Sequence, residues 1–297
     1  MRSHYCVWLF RILPVLLLVL CPAVLAKTPF QQHYAVGKSY LQRQDFDMAI
    51  QEFDEALKIK PDDATTLIDR GTAFNELNKV DKAIADFSTV IKSSKQNYLA
   101  YNNRGVSYMR KGLYDKALSD LNQAMKINPE QPYPYLNAAG VALCEGKGGD
   151  MAEKLSSWYF KQDGKKNLSM HGAILGVFCF LQANKKAEAK KLLGTALARG
   201  DRFTWPYPVL QYLSGVGKVD KEKLFDASED SAYDSTQAHC FIALNLIFNN
   251  EDWKSAKPNI DWVTKHGTRN SVEYWIVQSL IKKDRAARVK PQGVSAK

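Results

Sequence analysis

The sequence predicts an all-α protein in which helical hairpins stack along the chain as a solenoid. The first observation is a period of 34 residues between positions 30 and 131, where small, aromatic and apolar residues recur at fixed offsets. The second is a series of helical apolar patterns from residue 168 onward, which loses that strict register. Together they predict regular hairpins followed by a degenerate helical half.

Residues of one type recur 34 positions apart in several columns. The columns are Gly37, Gly71 and Gly105; Tyr40, Phe74 and Tyr108; Ala49, Ala83 and Ala117; Phe53, Phe87 and Leu121; and Ala56, Val90 and Ala124. Pro61 and Pro129 close the first and third units, whereas Lys95 stands in the second. This pattern resembles the tetratricopeptide repeat (TPR), whose two-helix units must stack to bury their apolar stripes.

The repeat divides the chain into segments. Residues 27–131 are predicted to form three well-formed TPRs, in units 30–63, 64–97 and 98–131, and residues 132–165 a degenerate fourth. Residues 166–283 are predicted to be a degenerate TPR-like helical half, with the helix at 272–281 capping its end. Residues 284–297 are predicted to be a basic disordered tail.

The beginning of the chain is typical of a secretory signal. Arg2 and Arg11 make a basic start, an apolar run covers residues 12–25, and small residues precede a cleavage site after Ala26. Residues 1–26 are therefore predicted to be a signal peptide and the protein to be exported to the periplasm or cell envelope. Removal lowers the formal charge from +10 to +8, which favours acidic partners, anionic lipid or charged cell-wall polymer. Nucleic acid would also suit this charge, but it is not expected as a partner outside the cytoplasm.

Two alternatives for this segment stay open. The apolar run is shorter than the roughly 20 residues of a membrane span and is interrupted by Pro14 and Pro22, yet an uncleaved segment would tether the protein. Cys21 offers lipidation, although Leu20 stands where a lipobox usually has a small residue.

Four segments of the chain resemble the NlpI family of bacterial TPR lipoproteins. They are residues 135–143, 205–215, 237–256 and 272–274. The resemblance implies a dimeric periplasmic adaptor at the outer membrane that scaffolds peptidoglycan hydrolases and presents one to a processing protease. The weak lipobox departs from the family pattern. This departure argues against outer-membrane anchoring but does not bear on the adaptor role.

The sixth position of each TPR unit is expected to face the concave groove. It holds Asp69, Asn103 and Asn137, and a ladder of amides can hold an extended peptide backbone. The alternative is that these are solvated helix-face residues. Further groove candidates are Tyr34, Lys38, Thr72, Asn102, Val106, Met109 and Arg110. Arg70 and Arg104, at the seventh position, are expected to bridge helices.

A carboxylate clamp of the kind some TPR domains use is not expected here. Only Lys38 and Asn103 could contribute to one, and Asp69 places a negative charge where a carboxylate would bind.

The sequence contains no recognised catalytic or cofactor-binding motif. There is no HExxH, GxSxG or phosphate-binding glycine loop, so no enzyme, cofactor or metal site is predicted. Cys144, Cys179 and Cys240 are expected to be buried apolar residues. Two alternatives to an adaptor remain: a membrane-tethered envelope assembly factor, and a cell-wall enzyme with its site in the C-terminal half. The basic stretch 147–202 is either a solvated face or a docking surface for an acidic partner.

Overall fold

The computed structural model describes residues 27–162, 167–250 and 252–289. The predicted signal segment and Cys21 lie outside these residues. The described chain forms fifteen α-helices and no strand, which confirms the predicted all-α class. It divides into two compact units, the first ending at Thr89 and the second beginning at Val90.

The helices are named in chain order. In the first unit they are α1 (Pro29–Gln42), α2 (Phe46–Ile59), α3 (Ala64–Glu76) and α4 (Val80–Ser93), whose last turn belongs to the second unit. The second unit continues with α5 (Tyr98–Arg110), α6 (Tyr114–Ile127), α7 (Pro132–Glu145), α8 (Gly148–Lys161), α9 (Asn167–Gln182), α10 (Lys186–Arg199), α11 (Tyr207–Ser214), α12 (Lys221–Asp226), α13 (Ala232–Asn250), α14 (Trp253–His266) and α15 (Val272–Val289).

The starts of the second helices keep the 34-residue period as far as α8. The second helix of each hairpin begins at residues 46, 80, 114 and 148. Before the first helices, Asp63 caps α3 by accepting from the Thr66 amide at 2.9 Å, and Asn97 caps α5 by accepting from the Ala100 amide at 3.0 Å. Such caps satisfy amide donors that a helix start leaves open, so a short side chain with an acceptor oxygen stands at both positions.

The turn inside each hairpin uses a left-handed backbone. Its residues are Gln44, Asn78, Gly112 and Gly146, each 34 positions from the next, with φ of 63°, 57°, 73° and 91°. This conformation costs an ordinary L side chain about 1–2 kcal/mol, whereas glycine adopts it freely and asparagine tolerates it. Gln44 therefore carries a cost that Gly112 and Gly146 avoid.

The glycine column exists because the two helices of a hairpin meet there. A Cβ at Gly71 would lie 2.7 Å from Cε1 of Phe87, closer than carbon atoms tolerate. The same holds for Gly37 against Phe53 at 2.6 Å and for Gly105 against Leu121 at 2.8 Å. The structure thus confirms that glycine lets the large apolar residue of the second helix seat against the first.

The C-terminal half is organised around helices that are covered on all sides. Every residue of 170–180 in α9 is buried, and so is nearly every residue of 236–244 in α13. A helix that is apolar around its whole circumference belongs inside a core rather than on a surface. This explains why the strict register of an amphipathic repeat is lost there.

The last helix has a wider role than the predicted end cap. α15 packs against α7, where a Cβ on Gly140 would overlap the side chain of Val272, and also against α13 and α14. Gly140 is therefore displaced from the repeat column because it serves this contact. α15 also continues to Val289, so residues 284–289 of the predicted tail are helical and the remainder lies outside the described residues.

Among the helices that the structure describes, none has both the length and the apolar character needed to span a bilayer.

Candidate functional site

In the first unit, three of the predicted groove residues come together. Tyr34 and Lys38 lie on α1, and Asp69 lies on α3. The Tyr34 hydroxyl donates to Oδ2 of Asp69 at 3.0 Å, and Lys38 Nζ donates to Oδ1 at 3.1 Å. Burial, with the nearby Asp69 charge, raises the pKa of Tyr34 to about 12, so its hydroxyl stays a donor. Because Lys38 offsets the negative charge of Asp69, a ligand carboxylate would be repelled less than expected. The same ion pair occupies Lys38, the one lysine that a carboxylate clamp could use.

In the second unit, three predicted asparagines form a hydrogen-bonded chain, here called the amide cluster. Asn102 and Asn103 lie on α5 and Asn137 on α7. Asn102 Nδ2 donates to Asn103 Oδ1, and Asn137 Nδ2 donates to Asn102 Oδ1, each at 3.0 Å. Asn102 is buried, so it is the link between its neighbours rather than an exposed groove residue as predicted.

The two ends of the amide cluster have complementary hydrogen-bonding capacity. Nδ2 of Asn103 is a donor and Oδ1 of Asn137 is an acceptor, and neither bonds to another of the described residues. Both side chains are only half-buried. A peptide group carries one acceptor and one donor, so the cluster presents the matching pair.

Helix α15 lies near the C-terminal end of the α5 face that carries Asn103. Residues 103, 106 and 110 share one side of the helix, since they are three and seven positions apart. The Arg110 guanidinium lies 5.4 Å from the centre of the Trp275 ring of α15, and Met109 is buried. The structure therefore directs Arg110 toward its own chain, which differs from its predicted role in binding a partner.

Helix α15 covers the matching part of α7. Cys144 Sγ donates to the Trp275 carbonyl oxygen at 3.5 Å, one turn beyond Gly140 with its contact to Val272. Asn137 lies one turn before Gly140, outside these contacts. The uncovered part of this inner face is thus the part that carries the amide cluster.

The arginines at the seventh position bridge helices, as predicted. Arg104 Nε and Nη2 donate to the two carboxylate oxygens of Asp120 at 2.7 and 2.9 Å. Arg70 makes the same two-pronged contact with Asp86 at 2.9 and 2.7 Å and also reaches Asp54 at 2.6 Å. These paired contacts join the two helices of each hairpin. They indicate that both arginines stabilise the fold and do not bind a partner.

A buried polar network in the C-terminal half was not foreseen. His171 Nε2 and Glu273 Oε1 lie 2.6 Å apart, and Gln237 Nε2 donates to the same oxygen at 3.3 Å. Trp205 Nε1 donates to Gln237 Oε1 at 2.8 Å. The Glu273 side chain is wholly buried, so this acid–base pair joins α9, α13 and α15 but is closed to a substrate. Its members are 32 to 102 residues apart and share no spacing that a sequence motif would show.

The three cysteines are free and buried, as predicted. Burial raises the pKa of the Cys144 thiol to about 11 and raises those of Cys179 and Cys240 as well. All three thiols are therefore protonated at neutral pH and are poor nucleophiles. Within the described residues no cluster of three metal-ligating side chains occurs.

The stacked hairpins, their glycine contacts and their inner-face polar residues define a TPR solenoid. Two models of the tetratricopeptide repeat family match the chain, at residues 98–131 and at residues 30–63. No curated protein sequence matches it at a significant level.

Solved structures share this architecture. A tetratricopeptide repeat protein from Parabacteroides merdae superposes with a TM-score of 0.56 at 15% identity, covering 85% of this chain and 99% of that one. Pseudomonas aeruginosa pilF gives a TM-score of 0.50 at 16% identity, covering 85% and 97%. MamA gives 0.50 at 18% identity, covering 58% and 91%. At these identities the likeness concerns the fold alone; with the repeats, it supports a protein–protein interaction scaffold.

Proposed function

We propose that this protein is a non-catalytic adaptor of the bacterial cell envelope that holds an extended segment of a partner protein at the amide cluster. The observation that carries the proposal is the pair of amide groups, Asn103 Nδ2 and Asn137 Oδ1, that bond to no other described residue. One donates and the other accepts, and the buried Asn102 fixes both through hydrogen bonds. Backbone recognition of this kind tolerates many side chains, which suits an adaptor with several partners.

The envelope location rests on the signal-like residues 1–26, and the choice of partners rests on the resemblance to the NlpI family. On this view the partners are peptidoglycan hydrolases and a processing protease. The Tyr34–Lys38–Asp69 group of the first unit is a second candidate contact surface. Its paired charges favour hydrogen bonding over capture of a free carboxylate.

The test of the amide cluster is crosslinked capture of partners by the full-length protein from intact cells, followed by affinity measurement with the partner recovered. We expect the double variant Asn103→Ala, Asn137→Ala to bind about thirtyfold more weakly, since two hydrogen bonds at about 1 kcal/mol each are lost. The matched control is Asn122→Ala, an exposed amide on α6 whose side chain accepts a hydrogen bond from Lys154. Equal partner recovery by the double variant and the control would refute the assignment.

The mass of the mature N-terminus tests the location. A chain that begins at Lys27 supports export with cleavage, whereas one that begins at Met1 supports the tethered alternative. Lipid on Cys21 would restore the lipoprotein alternative and with it outer-membrane anchoring.

A further inference from the structure

The second unit contains an apolar cleft that the peptide-binding proposal does not use. It lies among α9, α10, α11 and α13 and has a volume of about 450 Å³. Its walls are aliphatic, and their main residues are Val177, Leu181, Ala189, Leu193, Leu197 and Leu213. This volume is within the range of small-molecule sites, roughly 300–1,000 Å³.

The cleft exists because one helix is short. α11 has 8 residues where α10 beside it has 14, which leaves about 9 Å of α10 without a partner helix. α11 stops at Gly215, whose φ of 70° turns the chain away into the short turn that follows. Gly194 of α10 adds to the space, since a Cβ there would meet no atom within 4 Å.

Two positive charges stand at the mouth of the cleft. Lys186 and Lys190 are one turn apart on α10, both are exposed, and neither pairs with a carboxylate of the described chain. Among the residues that the structure describes, those that line the cleft include no acidic side chain. On the α13 side, Asn245 accepts a hydrogen bond from Asn249 Nδ2 at 2.6 Å. The mouth is therefore cationic and polar, while the described side chains deeper in the cleft are mainly aliphatic.

We propose that this cleft binds a free fatty-acid anion, with the alkyl chain against the aliphatic walls and the carboxylate at Lys186 and Lys190. An unbranched alkyl chain needs apolar contact and no internal hydrogen bonds, which is what the walls provide. The head group needs cations that are not already neutralised, which is what the mouth provides. An acidic peptide would need partners for its backbone groups, and the aliphatic interior has none.

The test is calorimetric titration of the full-length protein with dodecanoate below its micelle concentration. We expect saturable binding of one equivalent, and about fifteenfold weaker binding of decanoate, because each buried methylene contributes about fourfold. Dodecyltrimethylammonium, with the same chain and a cationic head, should bind much more weakly. Absence of saturable dodecanoate binding, or equal binding of the cationic amphiphile, overturns the proposal.

Two pairs of variants locate the site. Gly194→Leu should fill the cleft and reduce affinity more than tenfold, whereas Ala198→Leu, one turn along α10 and outside the cleft, should not. The double variant Lys186→Gln, Lys190→Gln should bind about three- to tenfold more weakly, since exposed ion pairs are individually weak. Its control is Lys191→Gln on another side of α10.

Leucine is a better helix former than glycine, so Gly194→Leu should keep the helical circular dichroism and the melting temperature. Loss of binding with the fold intact supports the site, and unchanged binding in that variant refutes it. The cleft shares no residue with the amide cluster, so the two proposals can fail independently.

Discussion

A histidine–glutamate pair occurs in each of two very different regions of this chain. In the regular hairpins, His33 Nδ1 and Glu52 Oε2 lie 2.8 Å apart with both side chains partly exposed, at 39% and 26%. In the C-terminal half, His171 and Glu273 lie 2.6 Å apart with 6% and 0% exposed. The first pair joins helices of one hairpin, 19 residues apart, and the second joins helices 102 residues apart.

The difference shows how the two regions are stabilised. A solenoid depends on contacts between neighbouring helices, so its polar contacts are local and repeat with the period. The C-terminal half encloses α9, α13 and α15 in one core, so its polar groups must satisfy one another far from water. Breaking a contact should therefore cost little in the first region and much in the second.

The largest effect is expected at the buried pair. Glu273→Ala would leave His171 and Gln237 with unsatisfied groups in the core, at a cost of about 3–5 kcal/mol in the free energy of unfolding. Glu52→Ala is the matched change in the regular region and should cost no more than about 1 kcal/mol. Urea unfolding of both variants measures the two costs. Equal losses would remove the contrast between the regions.

A smaller loss is expected where the regions meet through α15. Gly140→Ala would force Val272 away and should cost about 1–3 kcal/mol. The same substitution at Gly194, where a Cβ meets open space, should instead stabilise the helix by about 0.5–1 kcal/mol. Thermal or urea unfolding measures the change in stability of both variants, a loss for Gly140→Ala and a gain for Gly194→Ala. A neutral Gly140→Ala would mean that α15 does not pack closely on α7.

The turn column of the hairpins offers a local effect. Gly112 has a φ of 73° and no atom near its Cβ position, so Gly112→Ala should cost about 1 kcal/mol through backbone strain alone. Gln44→Gly, at the equivalent turn, should relieve the same strain and stabilise the protein slightly. If unfolding measurements showed that Gly112→Ala and Gln44→Gly change stability in the same direction, the two turns would not share this backbone geometry.

The smallest effect concerns pH. Burial lowers the pKa of His239, whose ring stacks between those of Phe225 and Trp262. The ring centres lie 4.3 Å and 4.0 Å from that of His239. Below about pH 6.5 the unfolded chain takes up this proton before the folded chain does, so stability falls as the pH falls through that value. The loss of melting temperature between about pH 7 and about pH 5.5 should be smaller in His239→Phe. An identical loss in both proteins would assign the dependence to other groups.

Much of the architecture follows from sequence periodicity. The fold class, the glycine contacts and the helix-bridging arginines were all predicted, because each depends on residues within one or two hairpins. Six of the predicted groove residues meet, in two separate groups, Tyr34–Lys38–Asp69 and the amide cluster. Periodicity placed them on the inner face but could not say that Asn102 would be buried between the other two.

By itself, the sequence determined that this chain forms stacked helical hairpins, since a 34-residue period with glycine opposite a large apolar residue permits few other packings. Tertiary structure alone decided that α15 lies on α7, that Arg110 faces Trp275, and that His171, Gln237 and Glu273 share one network. Those contacts join residues up to 165 positions apart, and each occurs once. A contact that occurs once leaves no period in the sequence, so only the folded core reveals it.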